Sequence, residues 1–234
     1  MTRPRPASKS ALPAKRQWMR TADRRAQLLD SAIRVFARDG IGRASHAGIA
    51  ADTGVSVATV FVHFPTRDAL VRDVLATVDT FMSAMIRDTL GAHDDPREAL
   101  LALARAFADS IDTYPDYARV WLDWSTAVHD ENWSGWLDFQ RRALRRIRQT
   151  IREGVRAGVI PSTIDIDAAA RIFNGAAHIV ALMKFGAARR TEVDRMLISL
   201  VDGALRIPLP DTSSPSAGPS SNADAQPPPL STNL

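Results

Sequence analysis

The sequence contains no cysteine among its 234 residues. Disulfide-stapled folds, catalytic thiolates and cysteine-ligated zinc sites are therefore excluded. Long apolar runs are missing too, since no stretch approaches the roughly 20 apolar residues that cross a bilayer as a helix. The amino-terminal residues carry charge but no apolar segment of the secretory type. We expect a cytoplasmic protein with no membrane partner.

Signatures of enzyme chemistry are also scarce. The chain has no glycine-rich phosphate loop and no HExxH motif, and its five histidines show no metal-ligand spacing. The segment His129-Asp130-Glu131 resembles an acid/base cluster, but it lies at a predicted helix end, where charges are usually solvated. We therefore expect no enzyme activity, no catalytic residue, no cofactor and no metal site.

Positive charge is concentrated at the amino terminus. Residues 1–25 hold eight cations and one acid, although the whole chain has a net charge of only +4. A basic arm of this kind suits a polyanion such as DNA or an anionic membrane surface, and a solubilising tail has the same composition.

Both ends of the chain have the composition of disordered segments. Residues 1–20 mix prolines with cations, and residues 207–234 contain seven prolines and six serines but no cation. Neither segment has enough apolar surface to offset the entropy lost on ordering. We expect a disordered basic arm at 1–20 and a disordered Pro/Ser-rich tail at 207–234.

Between these ends the apolar periodicity is helical throughout, with no sustained alternation of the strand type. Serine or threonine at 45, 56 and 66 has the position of a helix cap, and glycine follows several of the helical stretches. The sequence predicts an all-α protein. Its nine helices are expected at 21–39, 46–53, 57–64, 67–91, 96–112, 115–130, 133–157, 166–185 and 191–205.

The segment 46–70 is the most informative part of the chain. Its two short helices, joined at residues 53–55, have helix-turn-helix geometry, in which the second helix can enter the major groove of DNA. A plain α-helical hairpin has the same spacing. On the second helix Val60 and Phe64 should face the protein. The outward face then carries Thr59, Val62 and His63.

The residues of this segment resemble the amino-terminal signature of the TetR family of transcriptional regulators. The resemblance implies a helix-turn-helix DNA-binding domain of three helices at 21–66 and a larger ligand-binding and dimerisation domain at 67–206. It also implies a homodimer that binds a palindromic site in double-stranded DNA. The signature consists of Phe36 with Gly40, Ile49-Ala50, Gly54-Val55-Ser56, Thr59-Val60-Phe61, His63-Phe64-Pro65 and Leu70.

Within that family the sequence is similar to the HapR/SmcR-type quorum-sensing master regulators of vibrios. The similar stretches are FARDGIGRASHAGIA (36–50), VSVATVF (55–61), FPTRDALV (64–71) and VWLDWS (120–125). The last stretch lies outside the DNA-binding part, so the resemblance spans both domains and implies a quorum-sensing role. That subfamily usually has Asn-Tyr where this chain has Val62-His63, and His63 agrees with the wider family.

Contacts with DNA are expected from the outward face of the third predicted helix, from the amino termini of the second and fourth, and from the basic arm. Val62 cannot hydrogen-bond, so it could sense only a thymine methyl group or DNA shape. For Arg43 and Arg67 the alternative is a solvated surface cation. The expected DNA-binding residues are Arg20, Arg24, Arg43, Ser45, His46, Ser56, Val57, Ala58, Thr59, Val62, His63, Thr66 and Arg67.

The eighth and ninth predicted helices have broad apolar faces. By resemblance to TetR-like dimers, these faces are candidates for a four-helix dimer interface, and packing within one subunit is the alternative. Asn174 and His178 are expected to form a hydrogen-bonded interface pair. The apolar residues are Ile172, Phe173, Ala176, Ile179, Val180, Met183, Val193, Leu197, Leu200, Val201 and Leu205.

Four of the five tryptophans lie between residues 121 and 136. Ordinary core and an aromatic-lined cavity for a small apolar ligand both fit this clustering. Similarity to the vibrio regulators implies a cavity with Gln140 as its polar anchor. The implied lining is Met82, Met85, Ile86, Trp121, Trp136, Gln140, Leu144 and Ile147.

A run of six arginines between residues 141 and 152 is expected to form a solvated helix face. Taken together, the sequence predicts a homodimeric transcriptional regulator that a small apolar ligand modulates. The alternative is a helical protein-interaction module that has lost DNA binding.

Overall fold

The computed structural model describes the backbone of residues 14–209 and the side chains of residues 22–209. Over that part of the chain it has nine α-helices, and its β-structure is one isolated bridge between Ile164 and Pro208. The all-α prediction is confirmed. The helices are α1 (Ala14–Asp39), α2 (His46–Thr53), α3 (Val57–His63), α4 (Arg67–Gly91), α5 (Pro96–Thr113), α6 (Pro115–Thr126), α7 (Trp133–Arg156), α8 (Ile166–Phe185) and α9 (Arg190–Ala204).

Side-chain caps begin the helices around the turn as the sequence predicts. Ser45, Ser56 and Thr66 each accept a backbone N–H three residues further on, at 3.1–3.2 Å. Each bond satisfies a donor that the first helical turn leaves without a partner. Gly54 ends α2 with φ of +69°, a left-handed conformation that side-chain-bearing residues adopt only with strain.

Three predicted boundaries are wrong. Helix α1 begins at Ala14 rather than at residue 21, because residues 15–20 are mostly good helix formers that follow the last proline. Helix α6 ends at Thr126 instead of near residue 130, where the chain enters turns. The carbonyl of Ile207 and the amide of Leu209 bond to residues 163–165 at 2.8 Å, so the expected tail does not begin at 207. The remainder of both predicted disordered ends, 1–13 and 210–234, lies outside the described residues.

One continuous apolar core runs through the described helices. Phe36, Ile49, Val60 and Phe64, each at most 1% exposed, form its amino-terminal part between α1, α2 and α3. Helix α4 packs against α1, α5, α6 and α7, and α6 packs along α1. Helices α2 and α3 of the helix-turn-helix are connected to the larger carboxyl-terminal body through α1, because α2 packs against α1 and α1 packs against α4 and α6.

Helix α8 is long and apolar enough to cross a membrane by length and composition, contrary to the expectation from the apolar runs. It packs against α5, α7 and α9, with Phe173 and Val180 buried among them. Core helices of globular proteins pass the same length and composition test, and the packing of α8 against α5, α7 and α9 makes it part of the core.

Gly154 on α7 packs so closely against Ile160 that a methyl group does not fit. A Cβ at this position would lie 2.4 Å from Cδ1 and 2.8 Å from Cγ1 of Ile160. We expect Gly154→Ala to lower the free energy of unfolding by about 1–3 kcal/mol, the usual cost of overpacking, in urea titrations at fixed protein concentration. Gly91→Ala is the control, because no atom lies within 4 Å of its Cβ position. Equal losses in the two variants would contradict this packing.

Candidate functional site

Helix α3 has a buried side and an exposed side. Val60 and Phe64 are fully buried, whereas Val62 is 77% exposed. Thr59 and His63, which flank Val62 on the helix surface, are partly exposed. The predicted orientation of α3 is therefore confirmed, and a hydroxyl, an imidazole and an isopropyl group face solvent together. Its DNA contacts remain a prediction.

His46 holds the carboxyl end of α3 in place. Its Nε2–H donates to the carbonyl oxygen of Phe64 at 2.7 Å, and its ring stacks on Phe61 with the centroids 4.1 Å apart. A helix of seven residues is too short to be stable alone, so such contacts fix its position. The expectation that His46 contacts DNA is wrong, because the residue is only 6% exposed and its Nε2 is already bonded.

Helix α2 is tied to α1 through Asp52. Ser31 Oγ and Arg34 Nη2 both donate to Oδ2 of Asp52 at 2.6 Å. The hydrogen bond from Ser31, followed by the one from Arg34, lowers the pKa of Asp52. Asp52 is thus ionised at neutral pH, and the two bonds join the two helices as one unit.

Several of the expected phosphate-facing groups are exposed. The capping oxygens of Ser45, Ser56 and Thr66 accept backbone N–H groups, which leaves their hydroxyl hydrogens to donate elsewhere. The hydroxyls of Ser56 and Thr59 also bond to each other at 2.8 Å. Val57, Ala58, Arg24 and Arg43 are exposed, and the Arg43 Nε–H donates to the carbonyl of Asp39 at 2.9 Å. The side chain of Arg20 lies outside the described residues.

Arg67 has a role that the sequence did not indicate. Its Nη2 donates to the carbonyl oxygens of Ile41 at 2.6 Å and Gly42 at 3.0 Å. Arg67 is therefore not simply a solvated cation. Because its Nη2 group is already hydrogen-bonded, only the rest of the guanidinium group can bind a DNA phosphate. The side chain connects the first turn of α4 to the loop between α1 and α2.

A second side chain holds the same loop from the carboxyl-terminal body. Oδ2 of Asp123, on α6, accepts the backbone N–H of Ile41 at 2.7 Å. Gly40, with φ of +83°, gives the loop its sharp turn beside this carboxylate. Nothing in the sequence predicts this contact, although Asp123 lies within the VWLDWS stretch that resembles the vibrio regulators.

An apolar cavity of about 60 Å³ lies among α4–α9. Two of the eight predicted lining residues, Gln140 and Leu144, do not line it, so the expectation of Gln140 as the polar anchor is wrong. Phe139 of α7 lines the cavity instead, beside the predicted residues Trp136 and Ile147 of the same helix. Asn174 is the polar residue of the lining. The confirmed lining residues are Met82, Met85, Ile86, Trp121, Trp136 and Ile147.

The cavity is small for an organic ligand. Its volume of about 60 Å³ is well below the roughly 150 Å³ of an engineered cavity that holds benzene. Met82 and Met85 on α4 line it, and methionine side chains adapt readily to a change of shape. A ligand as large as benzene therefore requires movement of the cavity wall.

His178 lies beside the cavity but does not pair with Asn174. Its Nε2 lies 2.9 Å from Ser125 Oγ, and its ring packs 4.7 Å from the ring of Trp121. Burial lowers the pKa of His178, so the ring is neutral at pH 7. The expectation of an interface pair is wrong because the imidazole faces α6. In the described part of the chain, no three histidine or acidic side chains group to hold a metal ion.

Seven of the eleven residues expected at the dimer interface are buried within the subunit, so the expectation is wrong for these seven, whereas Ile172 and Ile179 are exposed. The apolar faces of α8 and α9 serve mainly the core of the chain itself. Exposed apolar side chains nevertheless remain on both helices. The buried residues are Phe173, Ala176, Val180, Val193, Leu197, Val201 and Leu205, and the exposed ones are Ile172, Ile179, Leu182, Met196 and Ile198.

Comparisons with known proteins agree with this geometry. Residues 28–74 match the family model for bacterial regulatory proteins of the tetR family, and residues 93–182 match the model for the tetracyclin repressor-like C-terminal domain. The HTH-type transcriptional regulator LuxR of Vibrio harveyi is 31% identical over 182 residues, which cover 78% of this chain and 87% of that protein.

Two solved structures share the fold. A TetR-like transcriptional regulator from Rhodococcus sp. RHA1 superposes with a TM-score of 0.66 at 18% identity, covering 78% of this chain and 95% of that one. The transcriptional regulator FadR from Bacillus subtilis, solved in complex with stearoyl-CoA, has a TM-score of 0.64 at 17% identity and covers 77% and 97%.

We expect His46→Ala to destabilise the protein, because the buried carbonyl of Phe64 loses its donor and Phe61 loses its stacking partner. The expected loss is about 1–3 kcal/mol in the free energy of unfolding, measured by urea titration. The control is His63→Ala, on the outward face of α3, which should change the free energy of unfolding by less than about 0.5 kcal/mol. A His46→Ala variant as stable as His63→Ala would show that the hydrogen bond contributes little.

Proposed function

The chain belongs to the TetR family of DNA-binding transcriptional regulators, and from that premise we propose that it is a cytoplasmic homodimer that binds a palindromic operator and is modulated by a small apolar ligand. The observation that carries the proposal is that one side of α3 is buried and the other is exposed. Val60 and Phe64 anchor the helix, and Val62 stands 77% exposed between Thr59 and His63.

The outward face of α3 has the chemistry to distinguish base pairs. Thr59 and His63 can hydrogen-bond to base edges or phosphates, and Val62 can contact a thymine methyl group. The exposed hydroxyls of Ser45 and Thr66 and the cations Arg24 and Arg43 would contact the backbone and fix the position of α3 in the groove. We propose these residues, with the rest of α3, as the DNA-binding surface.

A helix of seven residues makes few contacts, so one copy binds weakly. A second copy about 34–36 Å away, one turn of the DNA helix, adds an equal set of contacts on a palindromic site. Ile172, Ile179 and Leu182 of α8, each at least half exposed, offer an apolar surface for that second copy. Met196 and Ile198 of α9 are exposed as well, on two different sides of that helix.

Hydrogen bonds connect the helices that line the cavity to the loop between α1 and α2, which precedes the DNA-binding helices. The cavity wall includes Met85 on α4 and Trp121 on α6. Arg67 at the start of α4 holds the carbonyls of the loop before α2, and Asp123 on α6 holds the amide of Ile41 in that loop. A ligand that moves either wall would therefore change the position of α2 and α3, and with it the affinity for the operator.

Two similar proteins support this proposal, one for the ligand and one for the regulatory role. FadR from Bacillus subtilis, which shares the fold, was solved with stearoyl-CoA. Similarity to LuxR of Vibrio harveyi over most of the chain supports the quorum-sensing role that the resemblance implies.

We expect Thr59→Ala with His63→Ala to weaken operator binding at least tenfold, because each lost base or phosphate contact costs about 1–3 kcal/mol. The assay is a gel shift on a duplex selected from random sequences by the unmodified protein. Thr113→Ala with His129→Ala, two exposed residues distant from α3, is the matched control. Size-exclusion chromatography should show the same dimer for all three proteins. Unchanged operator affinity in the first variant would favour the protein-interaction module.

We expect Asp123→Ala to loosen the loop before α2, because the N–H of Ile41 loses its acceptor. Hydrogen exchange of the amides of residues 40–44 should accelerate, and operator affinity should fall by a factor of about 3–10. Asp116→Ala, which removes another α6 carboxylate paired only with Arg119, is the control. Loop exchange rates that match those of the control would contradict the role of Asp123.

A further inference from the structure

A basic cleft lies on the surface between α4 and α7. It has a volume of about 380 Å³ and no acidic residue in its described lining. Three of the six arginines on α7 line this cleft; Arg145 and Arg146 are exposed to solvent, as the sequence predicts, and Arg142 is half-buried. The lining residues are Ser83, Ile86, Arg87, Arg142, Ala143, Arg145 and Arg146.

The positive charge of this cleft is only partly neutralised. Arg87 pairs with Asp88 at 2.8 Å, and Arg142 pairs with Asp79. Within residues 22–209, Arg145 and Arg146 have no carboxylate within ion-pair distance, and both are exposed. Two guanidinium groups without an anion match the charge and the bidentate geometry of a phosphate group.

The cleft adjoins the apolar cavity. Ile86 lines both, and α7 contributes Ala143 to the cleft and Ile147, one turn further on, to the cavity. The half-buried side chain of Ile86 is thus the partition between a basic surface and an apolar interior. A molecule that passed this partition would meet arginines at one end and aromatic rings at the other.

We propose that the cleft and the cavity together form one site for an amphipathic phosphate, an acyl chain joined to a phosphate-bearing head group. The head group binds Arg145 and Arg146, and the chain displaces Ile86 and enters the cavity, where it packs against Trp121 and Trp136. This inference rests on the proposed function, since it names the chemical class of the ligand that modulates operator binding. The chain must enlarge the cavity, and Met82 and Met85 provide the adaptable wall.

Intrinsic tryptophan fluorescence provides the measurement, because Trp121 and Trp136 line the cavity. The probes are decanoyl-coenzyme A and decanoyl-lysophosphatidate, each titrated below its micelle concentration. Decanol and free coenzyme A test the chain and the head group separately. Both amphiphiles should bind at least tenfold more tightly than either fragment, and the tighter of the two identifies the head group as a nucleotide or a lipid phosphate. Binding of free coenzyme A or decanol as tight as that of the amphiphiles would overturn the joint site.

The variant Arg145→Ala with Arg146→Ala should weaken binding of the better amphiphile at least tenfold and leave decanol binding within twofold. Arg152→Ala with Arg156→Ala removes two exposed arginines of the same helix outside the cleft and should change neither. Equal loss in the two variants would show general charge attraction and overturn the proposal. Gel shifts without ligand should be the same for all three proteins, so failure of operator binding in the unmodified protein would count against the proposed function alone.

Discussion

Helix α3 has only seven residues, and its position depends on contacts with the residues around it. Val60 and Phe64 are fully buried on its inner side, and the bond from His46 to the carbonyl of Phe64 closes its carboxyl end at 2.7 Å. Because burial uses one side of the helix, the other side has to face solvent. The exposure of Val62 between Thr59 and His63 is a direct consequence of that packing, and the proposed DNA-binding surface follows from it.

The loop between α1 and α2 is the second point on which the account depends. It receives Arg67 from α4 and Asp123 from α6, and both helices line the apolar cavity. The helix-turn-helix is therefore joined to the cavity by hydrogen bonds of 2.6–2.7 Å as well as by the continuous chain. Since the cavity is too small for an organic ligand without movement of its wall, we propose that ligand entry and loop position are coupled.

Features that depend on neighbouring residues could be predicted from the sequence. The caps Ser45, Ser56 and Thr66, the left-handed Gly54 and the inward and outward faces of α3 follow from chemistry within one or two helical turns. The start of α1 could not be placed, because cations and prolines give the composition of a disordered segment even where good helix formers follow one another. The same family signature that identified the DNA-binding part carried no information on which of its side chains are buried.

Features that depend on distant residues could not be predicted. His46 follows a helix cap and looks exposed in the sequence, but its partner Phe64 is 18 residues away. Ile41 and Asp123 are 82 residues apart, and nothing near either residue indicates their contact. Helical spacing places Trp136, Gln140 and Ile147 on similar faces of α7, and nothing in the sequence indicates that Phe139 rather than Gln140 lines the cavity.

Cross-linking from a single cysteine tests the central claim most directly, because the chain contains no other cysteine. Val62→Cys would carry a photoactivatable aryl azide, and Thr113→Cys, an exposed position on α5, would serve as the control. The account predicts that residue 62 cross-links to bases at two symmetric positions of the operator, about one helical turn apart, and that residue 113 does not. Absence of base cross-links from residue 62 under conditions where the operator is fully bound would contradict the proposal that α3 lies in the DNA groove.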